Sequence, residues 1–269
     1  MLDTSWLKVF TFFAVWTVVW SPIALIVSKL VDWRPNQTPN PQQKIVLLAS
    51  LYILAPIILG WKIKVENLFF ADLGLSLNSN IFISIAWGLG LSIASLILVF
   101  TLESALNLVG WHFDNFRQLL TLSVPILLLA LFVSSIEESV FRGYVFSVLV
   151  QDNYYWLAAT ISSIIFALLH LIWEQKETLP QLPGLWLMGM VLVAARLVNG
   201  GSLGLAIGLH AGWIWGLTCI DSAQLLTYNK KDSWLTGINQ QPLAGVAGIF
   251  CLVITGLIIW LGIGNWGAF

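Results

Sequence analysis

Glu137 and Glu138 are adjacent carboxylates in a long apolar stretch, and Arg142 follows Glu138 by four residues. A charged side chain at the centre of a membrane helix costs about 2.5–3.5 kcal/mol, so such groups are kept where they pair, face a water-filled cavity or take part in chemistry. Residues four apart share one helix face, which predicts an ion pair between Glu138 and Arg142. Glu137 lies about 100° away around the helix and is not served by that pair. The alternative is that both glutamates only hydrogen-bond between helices.

Two of the three histidines lie in other apolar stretches of the chain. His170 ends the fifth stretch, and His210 lies in the seventh. A carboxylate and two imidazoles can together activate water, with the carboxylate as general base and the imidazoles sharing the proton or polarising a carbonyl. The same groups can hold zinc, but only if separate helices bring them together, because the sequence contains no H-E-x-x-H motif. Glu174, near His170, either pairs with it or is solvated at the end of the stretch.

The chain must use lipid as its solvent. It has 269 residues, of which 58% are hydrophobic and 9% are charged, whereas about a quarter of the residues in a soluble domain are charged. Eight apolar stretches approach the length of about 20 residues that crosses a bilayer. They run near 6–30, 44–61, 81–109, 119–150, 154–173, 184–199, 201–220 and 243–263. We therefore predict an all-α, polytopic transmembrane helical bundle of about eight spans, with residues 1–269 forming a single integral-membrane domain.

The charges and cysteines exclude several other classes of function. A net charge of −1 provides no basic surface for nucleic acid. Cys219 and Cys251 are isolated in apolar runs, which is neither a disulfide framework nor a metal-binding spacing. The connections between apolar stretches are short, so any chemistry is expected inside the bundle.

Gly204, Gly208 and Gly212 repeat every four residues and give one smooth helix face suited to close packing.

Taken together, these motifs resemble the CPBP family, which groups CAAX proteases and bacteriocin-processing intramembrane proteases. The family pattern is E-E-x-x-x-R, then F-x-x-x-H, then a later histidine usually followed four residues on by Asn or Asp. This chain matches the pattern with EESVFR at 137–142, FALLH at 166–170 and His210. The resemblance covers roughly residues 120–220, which we expect to form the catalytic core.

The resemblance implies a role for each matched residue. Glu137 would act as general base, and His170 would assist it in activating water. His210 would face the developing oxyanion, and the pair of Glu138 and Arg142 would order the helix. The matched residues leave open whether the protein is a glutamate-type protease or a zinc metalloprotease, because a glutamate base needs no metal.

The resemblance also implies the kind of reaction and its location. It points to an intramembrane endopeptidase that hydrolyses a peptide bond in a membrane-associated or lipid-modified protein or peptide. Candidate substrates are a prenylated C terminus, a leader peptide and a membrane-protein segment, each reaching the site from the lipid bilayer. We expect a multi-pass integral protein of a bacterial cell membrane, with a water-accessible cavity inside the bundle.

One position departs from the family pattern. Ile214 lies four residues after His210, where the family usually has Asn or Asp. Isoleucine cannot donate a hydrogen bond, and the loss of one oxyanion donor typically lowers the rate by about 10²–10³. Either His210 suffices, or the indole N–H of Trp213 or Trp215 substitutes, or catalysis is reduced. Asn199 is a further candidate donor.

Two other classes of function fit part of the pattern. A non-catalytic binding or bacteriocin-immunity protein would keep the bundle and its polar centre without turning over a substrate, and Ile214 favours this class. A proton-coupled transporter uses buried carboxylates and histidines as a proton relay. It would show an inverted repeat with broken helices in both halves, and the sequence shows no such repeat.

Overall fold

The fold is taken from a computed structural model that describes residues 4–34, 37, 39–76, 78–172, 175–230 and 233–263. Within these residues the chain forms ten α-helices and two short strands. The helices are α1 (Ser5–Leu30), α2 (Pro41–Val65), α3 (Ser79–Ala105), α4 (Phe116–Glu138), α5 (Phe146–Leu149), α6 (Tyr155–Leu169), α7 (Gln175–Thr178), α8 (Leu182–Val198), α9 (Gly204–Ser222) and α10 (Val246–Ile258). The strands are β1 (Val109–Trp111) and β2 (Leu226–Tyr228). The predicted all-α membrane bundle is confirmed.

In the part of the chain that the structure describes, six helical segments are long and apolar enough to cross a membrane. They are Ser5–Leu30, Gln42–Val65, Ser79–Ala105, Phe116–Leu149, Tyr155–Ile172 and Gln175–Val198. The last two of the eight predicted spans correspond to α9 and to a shorter apolar helix, Val246–Gly262. Every residue of α9 from Gly204 to Trp213 is buried, so this half of the helix contacts protein rather than lipid.

The third predicted span, 81–109, extends too far at its C-terminal end. α3 ends at Ala105, and the backbone of Asn107 then takes a left-handed conformation with φ of 54°. The chain continues into β1, which pairs antiparallel with β2 so that Val109 lies opposite Tyr228. Strands of three residues are too short to show the alternation of apolar and polar residues by which a strand is predicted.

α3 and α9 pack closely along the glycine face predicted for α9. A Cβ atom on Gly204 would lie 2.7 Å from the Ile81 carbonyl oxygen, and one on Gly208 would overlap the Ile85 carbonyl oxygen. Only hydrogen fits at these positions, so the two backbones can approach each other. The predicted close packing is confirmed, and it sets the depth at which α9 carries His210.

Candidate active site

The helix that carries Glu137 and Glu138 changes its winding immediately after them. α4 continues into a π-helix, Ser139–Val145, and then into α5 without a break. All seven residues of this π-helix are buried. A π-helical turn is rare and is found frequently at functional sites. The turn follows the acidic pair and contains Arg142, so the unusual winding coincides with the candidate residues.

A buried arginine from α8 supports the π-helix. The Arg196 side chain is 7% exposed, and its guanidinium donates hydrogen bonds to oxygen atoms from three separate segments. The acceptors are the carbonyls of Asp72, Arg142, Gly143 and Gly201 and the hydroxyl of Ser147. A π-helix leaves some carbonyls without the usual partner four residues on, and a forked donor can satisfy several of them. Arg196 therefore holds the winding that follows the acidic pair.

Glu138 and Arg142 form the ion pair that their spacing predicts. Arg142 Nη1 lies 3.0 Å from Glu138 Oε1, and both side chains are fully buried. The Arg142 guanidinium also stacks over the Phe166 ring, 4.3 Å from its centroid. This cation–π contact joins the α4 side of the site to α6. The pair is therefore a fixed, solvent-free feature of the bundle.

His210 from α9 contacts both glutamates. Its Nδ1 lies 2.8 Å from Glu138 Oε1, and its Nε2 lies 3.6 Å from Glu137 Oε2. A carboxylate oxygen can only accept, so the shorter contact assigns the Nδ1 proton to His210. The imidazole is 3% exposed. The site thus holds two carboxylates, one guanidinium and an imidazole shared by the two carboxylates.

Tyr52 from α2 is a member of the site that sequence reasoning missed. Its hydroxyl donates a hydrogen bond to Oε1 of Glu137, whose side chain is 8% exposed. The only signal in the sequence is a phenol in the middle of an apolar helix, where its hydroxyl needs a partner. The sequence does not say which helix supplies that partner, so the contact with Glu137 could not be foreseen.

His170 lies at the C-terminal end of α6. Its Nδ1 donates to the Phe166 carbonyl at 2.8 Å, which leaves Nε2 as the ring nitrogen for other contacts. The same Phe166 ring meets the His170 ring edge-on, with 4.6 Å between centroids. These two contacts fix the tautomer and the plane of the imidazole. Glu174 lies outside the described residues, so its predicted relation to His170 stays a prediction.

Glu137, His170 and Tyr52 line one cavity of about 580 Å³. Its apolar lining is Phe13, Trp16, Trp20, Leu48, Leu51, Ile136, Val140, Phe141, Leu169, Ile172 and Leu185. Its polar lining is Thr17, Lys44, Tyr52, Glu137, His170, Thr178 and Gln181. The volume and the few polar groups are those of a small-molecule or peptide site. The buried side chains of Glu138, Arg142 and His210 are not part of this lining.

The candidate replacements for the missing Asn or Asp do not reach this cavity. The indole N–H of Trp213 donates to the Ser95 hydroxyl at 3.1 Å, and that of Trp215 donates to the Ser123 carbonyl at 2.9 Å. The side-chain NH2 of Asn199 donates to the Ser202 carbonyl at 3.4 Å, and its side-chain carbonyl accepts from a serine of α3. The lining of the cavity includes none of these three side chains. The donors suggested from the sequence are therefore engaged elsewhere.

The geometry of the described residues does not fit the zinc alternative. Among the described residues, no three His, Cys, Asp or Glu side chains are grouped so that they could hold a metal ion. The described residues therefore offer no set of zinc ligands, and we derive no step through a metal.

Comparison with known proteins agrees with the motifs. Residues 118–216 match the family model described as "Type II CAAX prenyl endopeptidase Rce1-like". The search of curated proteins found no match, and neither did the search of solved structures. The matched segment contains Glu137, Glu138, Arg142, His170 and His210. Its apolar helices make the chain a multi-pass membrane protein, and residues 118–216 are similar to the Rce1-like CAAX endopeptidase family.

Proposed function

We propose that the protein is an intramembrane endopeptidase in which Glu137 is the general base. The observation that carries the proposal is the position of the Glu137 carboxylate, which lies in the wall of a mostly apolar cavity and contacts Tyr52 and His210. A carboxylate with this access can take a proton from a water molecule in the cavity. Glu138 is already paired with Arg142, so Glu137 is the carboxylate left for this task.

The proposed reaction is hydrolysis by activated water. Glu137 takes a proton from water as the water oxygen bonds to the carbonyl carbon of the scissile peptide. The π electrons of that carbonyl move onto its oxygen and form the oxyanion. The tetrahedral intermediate then collapses, the carbon–nitrogen bond breaks, and the proton held by Glu137 passes to the leaving amine nitrogen.

His170 is proposed to orient the attacking water. Its Nδ1 donates to the Phe166 carbonyl, so Nε2 of the neutral imidazole carries a lone pair. That nitrogen can accept a hydrogen bond from the water proton that Glu137 does not take. His170 and Glu137 line the same cavity from two helices, which supports a shared water between them.

His210 is assigned a positioning role. The resemblance implies that His210 faces the oxyanion, but its imidazole is buried and contacts the two glutamates instead. These contacts hold Glu137 at the cavity wall and keep Glu138 hydrogen-bonded. We expect Glu137→Ala, His170→Ala and His210→Ala each to abolish cleavage while leaving expression normal.

The cavity lining supports an apolar substrate that enters from the bilayer. Aromatic side chains of α1, namely Phe13, Trp16 and Trp20, form part of the wall, and the charged members of the lining are Lys44, Glu137 and the ionisable His170. The family description names a prenyl CAAX endopeptidase, so a farnesylated C-terminal peptide is the first substrate to test. Leader peptides and membrane-protein segments belong to the same proposed class.

The test uses purified protein in liposomes with a fluorogenic farnesylated CAAX peptide. Wild type should cleave it, Glu137→Ala should not, and the control Glu177→Ala should cleave like wild type because Glu177 is exposed on α7. In parallel, the termini of membrane proteins should be compared in cells that express wild type or Glu137→Ala at matched levels. Termini present only with wild type would identify natural substrates.

Two outcomes would contradict the proposal. Cleavage that survives in Glu137→Ala would end the assignment of the general base. Identical termini in both strains, together with an uncleaved peptide, would favour the non-catalytic binding or immunity class and make Ile214 a mark of lost catalysis.

A further inference from the structure

The oxyanion side of the proposed reaction lacks its expected donors. Ile214 carries no polar hydrogen, and both ring nitrogens of His210 face carboxylates inside the bundle. Trp213 and Trp215 donate to other partners. A developing oxyanion without a donor would forfeit about 2.7–4 kcal/mol of transition-state stabilisation. An active enzyme with this site therefore needs a donor from another element.

Tyr52 is placed where such a donor would have to lie. It projects from α2 into the same cavity as Glu137 and His170, and its hydroxyl hydrogen-bonds the Glu137 carboxylate. The cavity lining has two further hydroxyls, on Thr17 and Thr178; that of Thr178 donates to the His170 backbone carbonyl. Among the hydroxyl groups of the described lining, that of Tyr52 contacts Glu137, the proposed general base.

We propose that Tyr52 is a catalytic residue that donates a hydrogen bond to the oxyanion in place of the family's Asn or Asp. This assignment rests on the endopeptidase function proposed above. In the resting enzyme the negative charge is on Glu137, and the phenol donates to it. When Glu137 takes the water proton, the charge moves to the carbonyl oxygen of the substrate a few ångströms away. A hydroxyl that rotates about its C–O bond can follow this charge from one oxygen to the other.

The proposed switch conserves atoms and charge. The bond between water oxygen and carbonyl carbon forms, the carbonyl π bond becomes a lone pair, and one proton passes from water to Glu137. Tyr52 stays protonated throughout and changes only the acceptor of its hydrogen bond. On collapse of the intermediate the oxyanion becomes a carbonyl again, Glu137 gives its proton to the amine, and the phenol returns to the carboxylate.

A purely positioning role makes a different prediction. If Tyr52 only oriented Glu137, removal of its hydroxyl would weaken the binding of a tetrahedral anionic analogue no more than the binding of the cleavage product. An oxyanion donor contacts the tetrahedral anion, so its loss lowers kcat and weakens the binding of that analogue alone.

The test compares Tyr52→Phe with wild type on the farnesylated peptide. We expect kcat to fall by about 10²–10³ with KM unchanged. A phosphinic analogue of the peptide, whose tetrahedral anion resembles the intermediate, should bind more weakly by a similar factor. The cleavage product should bind as it does to wild type, which also shows that the variant is folded. Tyr154→Phe is the matched control because Tyr154 is 88% exposed.

The outcomes separate this proposal from the function on which it rests. A wild-type kcat in Tyr52→Phe overturns the donor role and leaves the endopeptidase standing. Equal loss of affinity for the product and for the phosphinic analogue also overturns it, because an oxyanion donor acts on the tetrahedral anion alone. A wild-type protein that cleaves no peptide overturns both proposals.

Discussion

Lys62 on α2 and Glu66, which caps the C-terminal end of α2, form an ion pair. It has the same spacing and the same distance as the pair of Glu138, at the end of α4, and Arg142, in the π-helix. In each pair the residues are four apart, and the nitrogen and oxygen atoms are separated by 3.0 Å. Both pairs are largely or fully withdrawn from solvent, with side-chain exposure of 10% or less. From local spacing alone the two pairs are equivalent.

Their surroundings differ. Lys62 also donates to the Thr11 hydroxyl at 3.0 Å, and the Tyr144 hydroxyl donates to Glu66 at 2.6 Å. One cation therefore faces one carboxylate, neutral hydroxyls complete the group, and none of the four side chains belongs to the cavity lining. These four residues, the Lys62 group, join α1, α2 and the π-helix.

The pair in the candidate active site has an additional carboxylate beside it. Glu137 adds a second negative group to Glu138 and Arg142, His210 bridges the two glutamates, and Glu137 reaches the cavity. A buried ion pair is weak evidence of function, since many only hold helices together. The candidate active site differs from the group around Lys62 in two ways. It has a second carboxylate, Glu137, in addition to the ion pair, and that carboxylate reaches a cavity.

Substitution of the glutamates should have the largest effect on turnover, and only at the candidate active site. Glu137→Gln removes the base but keeps the shape and the hydrogen bond from Tyr52, so turnover should fall by about 10²–10⁴ with little change in melting temperature. Glu66→Gln weakens only the Lys62 pair, so it should lower the melting temperature and leave turnover per folded molecule intact. Peptide cleavage and thermal unfolding in detergent measure both. A loss of kcat in Glu66→Gln as large as that in Glu137→Gln would refute the distinction.

Removal of the cation from each ion pair should lower the free energy of unfolding by different amounts. Arg142→Met leaves the buried Glu138 without its partner, which typically destabilises a protein by about 3–5 kcal/mol. Lys62→Met should cost less. Glu138 and Glu66 each keep one hydrogen bond, but Glu138 is fully buried whereas the Glu66 side chain is 10% exposed. The denaturant midpoints of the two variants give the comparison.

A double replacement sharpens this second prediction. Glu138→Leu with Arg142→Met removes both buried charges and should recover much of the stability lost in Arg142→Met. It should not recover turnover, because His210 loses its anchor on Glu138. Recovered turnover would show that the pair has no part in positioning the base.

The features that the sequence predicted correctly are local along one helix. The pair of Glu138 and Arg142 follows from the pitch of a helix, and the close packing of α9 follows from glycines every four residues. Each depends on residues within one or two turns, where geometry is nearly fixed by the backbone. The π-helix that begins after Glu138 does not disturb the pair, although the apolar pattern gives no sign of it.

The features that could not be predicted connect distant parts of the chain. Tyr52 is 85 residues from Glu137, and His210 is 72 residues from Glu138. Hydrophobic periodicity says which face of a helix is buried but not which helix it meets. The order of the motifs predicted that Glu137, His170 and His210 share one site. The packing of the bundle shows that Glu137 and His170 line the cavity, whereas His210 is buried beside it. The burial of α9 within the bundle depends on the same tertiary information.

Substitution of a packing glycine on α9 should have the smallest effect. It tests whether the candidate active site depends on the position of α9 while the Lys62 group does not. A Cβ on Gly208 would overlap the Ile85 carbonyl oxygen, so Gly208→Ala should push α9 from α3 and cost about 1–3 kcal/mol. Because His210 is two residues away, turnover should fall beyond the loss of folded protein. Gly90→Ala is the control on α3, where a Cβ meets no atom within 4 Å and the substitution should be neutral or slightly stabilising. Hydrogen exchange across α2 should remain as in wild type in both variants, since α9 carries no member of the Lys62 group. A loss of protection in α2 in Gly208→Ala alone would mean that the candidate active site and the Lys62 group are coupled through the bundle.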